Sequence, residues 1–150
     1  MKRIIIYILL LGAAASLPFR GTDVGKLQPV GLIQLYMEDG MVVIVTDTGD
    51  SGRGDTAEAA FENLEDSTSG LIFLDTADYL LMSKEAISQA EGLQRYLKPS
   101  IRVCLAEQGI DPVQAAEYLA VHRPLLKMKN ISDFGSVQTL RQENGRLILE

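Results

Sequence analysis

The sequence predicts a single α/β domain, in which a small mixed β-sheet of about four to six strands packs with about three helices; an α+β arrangement stays open. Three observations lead to this prediction. Apolar runs rich in β-forming residues alternate along the chain with segments of helical spacing. Polar turns that contain glycine or proline separate these segments. With 150 residues, of which 47% are apolar, the chain has the length and composition for one buried core.

The first 15 residues have the layout of a secretory signal peptide. Lys2 and Arg3 precede an apolar run, and Ala13 and Ala15 place small side chains before the expected cleavage point. The run is shorter than the about 18 apolar residues of a spanning helix, and retention as an N-terminal anchor is the alternative. Cleavage would leave 12 basic and 20 acidic residues, a net charge of −8 instead of −6. We therefore expect an extracytoplasmic protein, secreted or attached to the outer face of the cytoplasmic membrane.

Residues 16–29 are expected to form a linker, and residues 30–150 are expected to form the folded domain. The domain begins with a predicted hairpin. Two segments rich in β-forming residues, Val30–Met37 and Met41–Thr46, flank the turn residues Glu38–Gly40.

A loop and a helix are expected after this hairpin. The segment Asp47–Asp55 contains no large apolar side chain and predicts an exposed loop. The helix is expected from about Thr56 to Glu65, with Asp55 or Thr56 as its N-cap. Helical spacing predicts one buried stripe on this helix: Ala57, Ala60, Phe61 and Leu64.

The middle of the domain contains two short apolar runs. Leu71–Leu74 has the form of a strand covered on both faces, and Asp75–Asp78 would be the polar tip that follows it. Tyr79–Met82 fits either a strand or the first turn of a helix. A helix weakened by Gly92 is expected over about residues 84–97.

The last third is expected to contain a strand at Ile101–Ala106, then a helix, then a hairpin. Asp111 and Pro112 indicate a helix start, with an acidic cap and a proline at the first helical position. The residues expected on the apolar side of this helix, which would end before Pro124, are Val113, Ala116, Leu119 and Ala120. The pair Asn144-Gly145 predicts a hairpin turn, and whether its last strand joins the main sheet stays open.

The composition excludes several classes of function. A net charge of −6 argues against sequence-independent nucleic-acid binding, which needs a basic face. One Cys excludes an intramolecular disulfide, and one Cys with one His argues against a structural zinc site. We predict no cofactor and no catalytic residue. The expected partner is a protein or an envelope assembly, and the membrane enters only through an uncleaved N-terminal segment.

The predicted loop Asp47–Asp55 contains short motifs that other proteins use for chemistry. Asp47-Thr48-Gly49 matches the catalytic tripeptide of aspartic proteases, which need two such carboxylates. Gly49–Gly52 matches the nucleophile segment of serine proteases, but the single His, His122, lies far downstream. Three carboxylates, Asp47, Asp50 and Asp55, are weak calcium candidates because Ca²⁺ takes oxygen ligands. A solvated loop is the ordinary interpretation.

Charged residues on the predicted tips are the candidate binding surface: Asp47, Asp50, Arg53, Asp55, Asp75 and Asp78. An acid/base pair of Asp75 and Asp78 would support an alternative function, a small secreted hydrolase that uses loop carboxylates. Cys104 is expected to be a buried small apolar residue, and an exposed thiol that cross-links two copies is the alternative. His122 is expected to complement the dipole at a helix C-terminus.

The order of motifs from Gly21 to Leu119 resembles a known family. A hydrophobic hairpin over residues 30–46 is followed by Gly54–Ala60, which opens an Ala-rich helix. A strand and a helix over residues 71–97 come next, and Ile101-Arg102-Val103 precedes the last helix. This pattern is similar to the N-terminal domain of the Ger(x)C spore-germination receptor C-subunit lipoproteins. The resemblance implies a non-enzymatic, extracytoplasmic part of a spore or envelope assembly.

The chain departs from that family at two places. The family has Gly-Cys-Trp-Asp after its signal segment, whereas Gly21-Thr22-Asp23 stands here, so Thr22 replaces the lipidated cysteine. The family's polar histidine region corresponds to Thr76-Ala77-Asp78, and the family's longer chains have two further domains. The resulting prediction is an exported, non-catalytic binding or assembly domain associated with sporulation or germination.

Overall fold

The computed structural model describes residues 27–68, 71–107, 109–130 and 137–150. The expected signal segment and most of the expected linker lie outside the described residues. The strands are β1 (Leu27–Pro29), β2 (Leu32–Glu38), β3 (Met41–Thr46), β4 (Ser51–Gly54), β5 (Leu71–Phe73), β6 (Tyr79–Met82), β7 (Arg102–Ala106), β8 (Thr139–Glu143) and β9 (Arg146–Leu149). The α-helices are α1 (Ala57–Ser67), α2 (Ala90–Leu93) and α3 (Pro112–Val121). Short 3₁₀ turns lie at Leu74–Thr76, Lys84–Gln89 and Met128–Asn130.

The main sheet is mixed, and its seven strands lie in the order β4-β3-β2-β6-β7-β8-β9. The four central strands β2, β6, β7 and β8 are parallel to one another. The hairpins β2–β3 and β8–β9, together with β4, add antiparallel strands at both ends. A separate parallel pair joins β1 to β5. The predicted mixed α/β fold is confirmed, with one strand more in the main sheet than the upper bound of six.

Each face of the main sheet has its own core. Helices α1 and α2 pack on the first face, where residues such as Leu35, Ile44 and Leu80 are fully buried. Helix α3 packs on the second face through Ala115 and Leu119. The central strand β6 is buried on both faces, because its four residues alternate between the two cores. Tyr79–Met82 is therefore a strand, which resolves the alternative that the sequence left open.

The extra strand, β4, lies inside the segment that was expected to be a loop. Ser51 and Arg53 are exposed, whereas Gly52 and Gly54 are buried beneath α1. A Cβ atom at Gly52 would lie 2.1 Å from the carbonyl oxygen of Ala60. The expectation of a loop was wrong over residues 51–54, because Gly52 and Gly54 serve a close helix–strand contact that their lack of a side chain permits, whereas residues 47–50 form a turn.

Helix α1 confirms the sequence prediction most closely. Thr56 is its N-cap, and its hydroxyl accepts a hydrogen bond of 3.2 Å from the Ala59 N–H. The predicted stripe of Ala57, Ala60, Phe61 and Leu64 is buried. The side chain of Asp55, the other candidate cap, is exposed.

Two predictions for the middle of the chain need correction. Strand β5 is not covered on both faces, since it pairs with β1 outside the main sheet and Phe73 is 42% exposed. Its partner β1 lies in residues 27–29, so the expected linker ends three residues too late. The helix expected over residues 84–97 is a 3₁₀ turn followed by the four-residue α2. Gly92 in α2 lies against α1, where an added Cβ would be 3.4 Å from Glu58 Cγ.

The C-terminal elements follow the predicted order. The Asp111 carboxylate accepts a 2.9 Å hydrogen bond from the Gln114 N–H and caps α3, with Pro112 at its start. The buried positions of α3 are Ala115 and Leu119, whereas the Val113 side chain is 50% exposed. Of the residues expected on the apolar side, Leu119 is buried and Ala116 packs partly against this core, whereas Val113 and Ala120 are exposed. The predicted hairpin at Asn144-Gly145 joins the main sheet as its edge.

Candidate functional site

The second face of the main sheet is covered over only part of its width in the described chain. The core beneath α3 takes residues from β6, β7, β8 and the first residue of β2, Leu32. Alternate side chains from the rest of β2, from β3 and from β4 also lie on this face, on the opposite side of the sheet from α1. These side chains form a groove, and we call it the open-face groove. Its lining includes Gln34, Tyr36, Val45 and Arg53.

The floor of the open-face groove consists of two cross-strand rows. The first row runs from Tyr36 across Val43 to Arg53. The second row runs from Gln34 across Val45 to Ser51. Val43, in the middle of the first row, is 6% exposed.

Two clefts share this floor. One has a volume of about 550 Å³ and reaches Ile110 and Pro112 at the start of α3. The other has a volume of about 390 Å³ and reaches β4. Both clefts are lined by Tyr36, Glu38 and Val45, so they lie side by side on this face. The larger volume falls in the range of ligand-binding sites in proteins.

Charge in the open-face groove is balanced. The guanidinium group of Arg53 donates to the carboxylate of Glu38, and both side chains are about half exposed. Tyr36 is the third ionisable residue that lines the groove. A nucleophile beside a general base, which covalent catalysis requires, is not found among these lining residues. The groove presents aromatic and aliphatic area from Tyr36 and Val45 beside polar side chains and one exposed ion pair.

The carboxylates that were candidates for catalysis or calcium have structural partners. Both Asp47 oxygens accept from the Gly31 N–H at 3.1 Å, which ties the β3–β4 turn to the start of β2. An Asp50 oxygen accepts from the Thr48 hydroxyl at 2.7 Å. Asp55 is exposed just before the cap of α1. In the described ranges, no three His, Cys, Asp or Glu residues form a group that could hold a metal ion.

The second pair of candidate carboxylates is divided between two places. Asp75 lines a small cleft with Phe61 and Tyr96. Asp78 lines a different cleft, and one of its oxygens lies 2.6 Å from the Lys98 ammonium nitrogen. The structure does not form the acid/base pair that the sequence allowed. Of the six binding-surface candidates, Arg53 lines the open-face groove.

Cys104 and His122 match their ordinary interpretations. Cys104 lies in β7 and is fully buried, and burial raises the pKa of its thiol to about 12. The alternative of an exposed, cross-linking thiol was wrong. His122 is the C-cap residue of α3, and its backbone N–H donates to the Tyr118 carbonyl at 2.9 Å. The His122 ring stacks on the Tyr118 ring.

Sequence reasoning missed the groove residues Tyr36 and Val45. A signal was present, because Gln34, Tyr36 and Glu38 alternate with the buried Ile33 and Leu35. That alternation indicates a strand with one less apolar face. It does not indicate how far a distant helix covers that face.

No protein-family model, curated protein or solved structure matches this chain. None of the helices in the described part is long and apolar enough to span a membrane.

Proposed function

We propose that this chain is an exported, non-catalytic binding domain whose open-face groove holds an extended segment of a protein partner. The observation that carries the proposal is the part of the second sheet face that α3 leaves open, with Tyr36 and two valines among polar side chains and one exposed ion pair. A concave surface that combines aromatic and aliphatic side chains with polar groups is typical of binding sites.

An extended peptide suits the groove because the two clefts are neighbours that share Tyr36 and Val45. Apolar side chains of such a peptide would lie over the two cross-strand rows. The ion pair of Glu38 and Arg53 is exposed, and exposed pairs contribute only about 0–1 kcal/mol to stability. Charged residues of the partner therefore replace one member of this pair at small cost.

We further propose an extracytoplasmic location and a role in a spore or germination assembly. The signal-like layout of residues 1–15 and the resemblance to the Ger(x)C N-terminal domain support this part of the proposal. The identity of the neighbouring genes tests it. Sporulation or germination genes beside this one support the association, whereas genes of a cell-wall enzyme system favour the secreted-hydrolase alternative.

A photo-cross-linking residue at Tyr36 tests the groove directly. Expressed in the native cell, the full chain is expected to form a protein adduct at position 36. The same substitution at Glu117, exposed on α3, is the matched control and is expected to give no such adduct. The partner protein identified in the adduct is then purified separately. Its Kd is measured for the chain that lacks the photo-cross-linking residue.

Two variants test whether the partner binds in the open-face groove. Val45→Glu places a charge on the groove floor, and Ser51→Arg fills the second row from the exposed edge. Each is expected to raise the Kd by about tenfold or more, as loss of a central contact residue does. Glu117→Arg is expected to leave the Kd unchanged. Equal affinity of wild type, Val45→Glu and Ser51→Arg would contradict the proposal, as would an adduct at both positions.

A further inference from the structure

Strand β9 forms one edge of the main sheet, and its outward backbone groups follow from its register with β8. Thr139 and Glu150 exchange two backbone hydrogen bonds, at 2.7 and 3.0 Å. Such pairs alternate with non-hydrogen-bonded pairs along an antiparallel ladder. The N–H and C=O groups of Leu147 and Leu149 therefore point away from β8. In the described part of the chain, no strand lies on that side.

The sequence of this edge is complementary to itself. Residues 146–150 read Arg-Leu-Ile-Leu-Glu, with opposite charges at the ends and apolar residues between them. If the strand meets its own copy in the antiparallel direction with Ile148 opposite Ile148, then Arg146 lies opposite Glu150 twice. Opposite charges in directly facing positions stabilise an antiparallel pair.

We propose that two copies of this chain associate through β9, which pairs antiparallel with itself across a two-fold axis at Ile148. In this register Leu147 lies opposite Leu149 of the second copy. These are the residues whose backbone groups point outward, so each of the two facing pairs forms two hydrogen bonds. The interface is isologous, as the commonest homodimers are.

Other registers lose this match. When Leu147 faces Leu147 of the second copy, Arg146 lies opposite Ile148, and the charges have no partner. When Leu149 faces Leu149, Glu150 lies opposite Ile148, and its carboxylate has no facing cation. The register centred on Ile148 is therefore the one that satisfies backbone, charge and apolar contacts together.

The side chains of β9 also favour pairing. Leu147, Ile148 and Leu149 are each partly exposed, and both leucines pack at the margin of the second-face core. A second copy would cover this margin and continue the apolar layer. A carboxylate oxygen of Glu150 lies 3.6 Å from a guanidinium nitrogen of Arg141 in the same chain. Arg146 of the second copy would approach the same carboxylate. The two open-face grooves would then lie at the far ends of one continuous sheet.

Analytical ultracentrifugation of the full chain over a wide range of concentration tests the proposal. The wild type is expected to show a reversible monomer–dimer equilibrium. Ile148→Lys places two ammonium groups against each other at the axis and is expected to make the protein monomeric. Gln142→Lys, one strand inward and exposed, is the matched control and is expected to keep the dimer.

Reversing the charges at the ends of β9 tests the register of the proposed pair more specifically. Arg146→Glu sets two pairs of carboxylates against each other and is expected to raise the dimer Kd by about tenfold. Arg146→Glu combined with Glu150→Arg restores both opposite-charge pairs and is expected to recover the dimer. Circular dichroism confirms that each variant is folded. A wild type that is monomeric at every concentration, or a dimer that persists in Ile148→Lys, would overturn the proposal.

Discussion

The two ends of the main sheet leave different surfaces free. At the β4 end, the edge is capped: the Arg53 N–H donates to Asn63 Oδ1 at 3.1 Å, and the Ser51 carbonyl accepts from the Ser67 hydroxyl at 3.2 Å. The open surface at this end is the groove on the second face. At the β9 end, Leu147 and Leu149 pack against the core on the second face of the sheet. The open surface at this end is the edge of strand β9.

This difference shows how one sheet can carry two kinds of contact without competition between them. An open strand edge accepts almost any strand, so proteins usually block edges that are not used. Helix α1 blocks the β4 edge with Asn63 and Ser67, which keeps a partner at that end on the face. The β9 edge has no such cap among the described residues, and its Arg and Glu select a strand of matching charge.

The largest expected effect is at the contact that holds the β4 end together. Gly52→Val would place side-chain atoms against the backbone of α1, where an added Cβ is already 2.5 Å from the Leu64 N atom. We expect a loss of about 3 kcal/mol in the free energy of unfolding. Ser51→Val, on the same strand but facing the groove, is the control, with an expected change within about 0.5 kcal/mol. Urea denaturation followed by circular dichroism measures both. Equal stability of the two variants would contradict the close helix–strand contact.

The next effect separates structure from catalysis at the same end. Asp47→Ala removes the acceptor of the Gly31 N–H and is expected to cost about 2 kcal/mol, as hydrogen bonds to charged groups do. Asp50→Ala, whose carboxylate has an exposed hydroxyl partner, is expected to cost less. Neither variant is expected to change activity on a panel of peptides and esters, because the wild type is expected to hydrolyse none. Turnover by the wild type that Asp47→Ala abolishes would refute a non-catalytic domain.

A smaller effect on stability is expected from a change that opens the capped β4 edge, so that it resembles the open β9 edge. Asn63→Ala with Ser67→Ala uncaps the β4 edge and is expected to cost about 0.5 kcal/mol for each of the two lost hydrogen bonds, because both are exposed. A chain with two open edges is expected to form assemblies longer than a dimer, visible by light scattering at high concentration. Glu62→Ala, exposed on the same helix, is the control. An unchanged size distribution in the double variant would show that the caps do not keep the β4 edge closed.

The smallest effect at neutral pH concerns Cys104 in β7, which lies between the two ends. Because burial raises the pKa of its thiol from 9.0 to about 12, the folded protein is expected to resist thiol reagents at neutral pH. The unfolded chain binds fewer protons than the folded one between pH 9 and 12, so stability falls as pH rises through that window. Cys104→Ala is expected to flatten this fall. Rapid thiol labelling of the folded wild type at neutral pH would contradict the burial.

Local signals in the sequence predicted the elements that local chemistry determines. The turns Asp39-Gly40 and Asn144-Gly145 adopt positive φ angles, as two-residue hairpin turns require. Caps and spacing predicted α1 and the start of α3. In each case the residues that carry the signal and the structure they form are neighbours in the chain.

The errors arose where distant segments decide the outcome. Gly52 and Gly54 are typical of a loop when the sequence is read locally, and their role depends on the approach of α1 from another part of the chain. The open-face groove depends on how far α3 extends over β2 and β3, which no pattern within those strands encodes. The candidate carboxylates were selected by residue type, whereas their partners, the Gly31 N–H and Lys98, are set by the tertiary fold.

Amide hydrogen exchange at several protein concentrations tests the difference between the two ends most directly. The Arg53 amide is expected to show the same protection at every concentration, because its acceptor is Asn63 of the same chain. The Leu147 and Leu149 amides are expected to exchange rapidly in dilute solution and to become protected as concentration rises. Protection of the β9 amides that does not change with concentration, or protection of Arg53 that does, would contradict the account of one capped and one open edge.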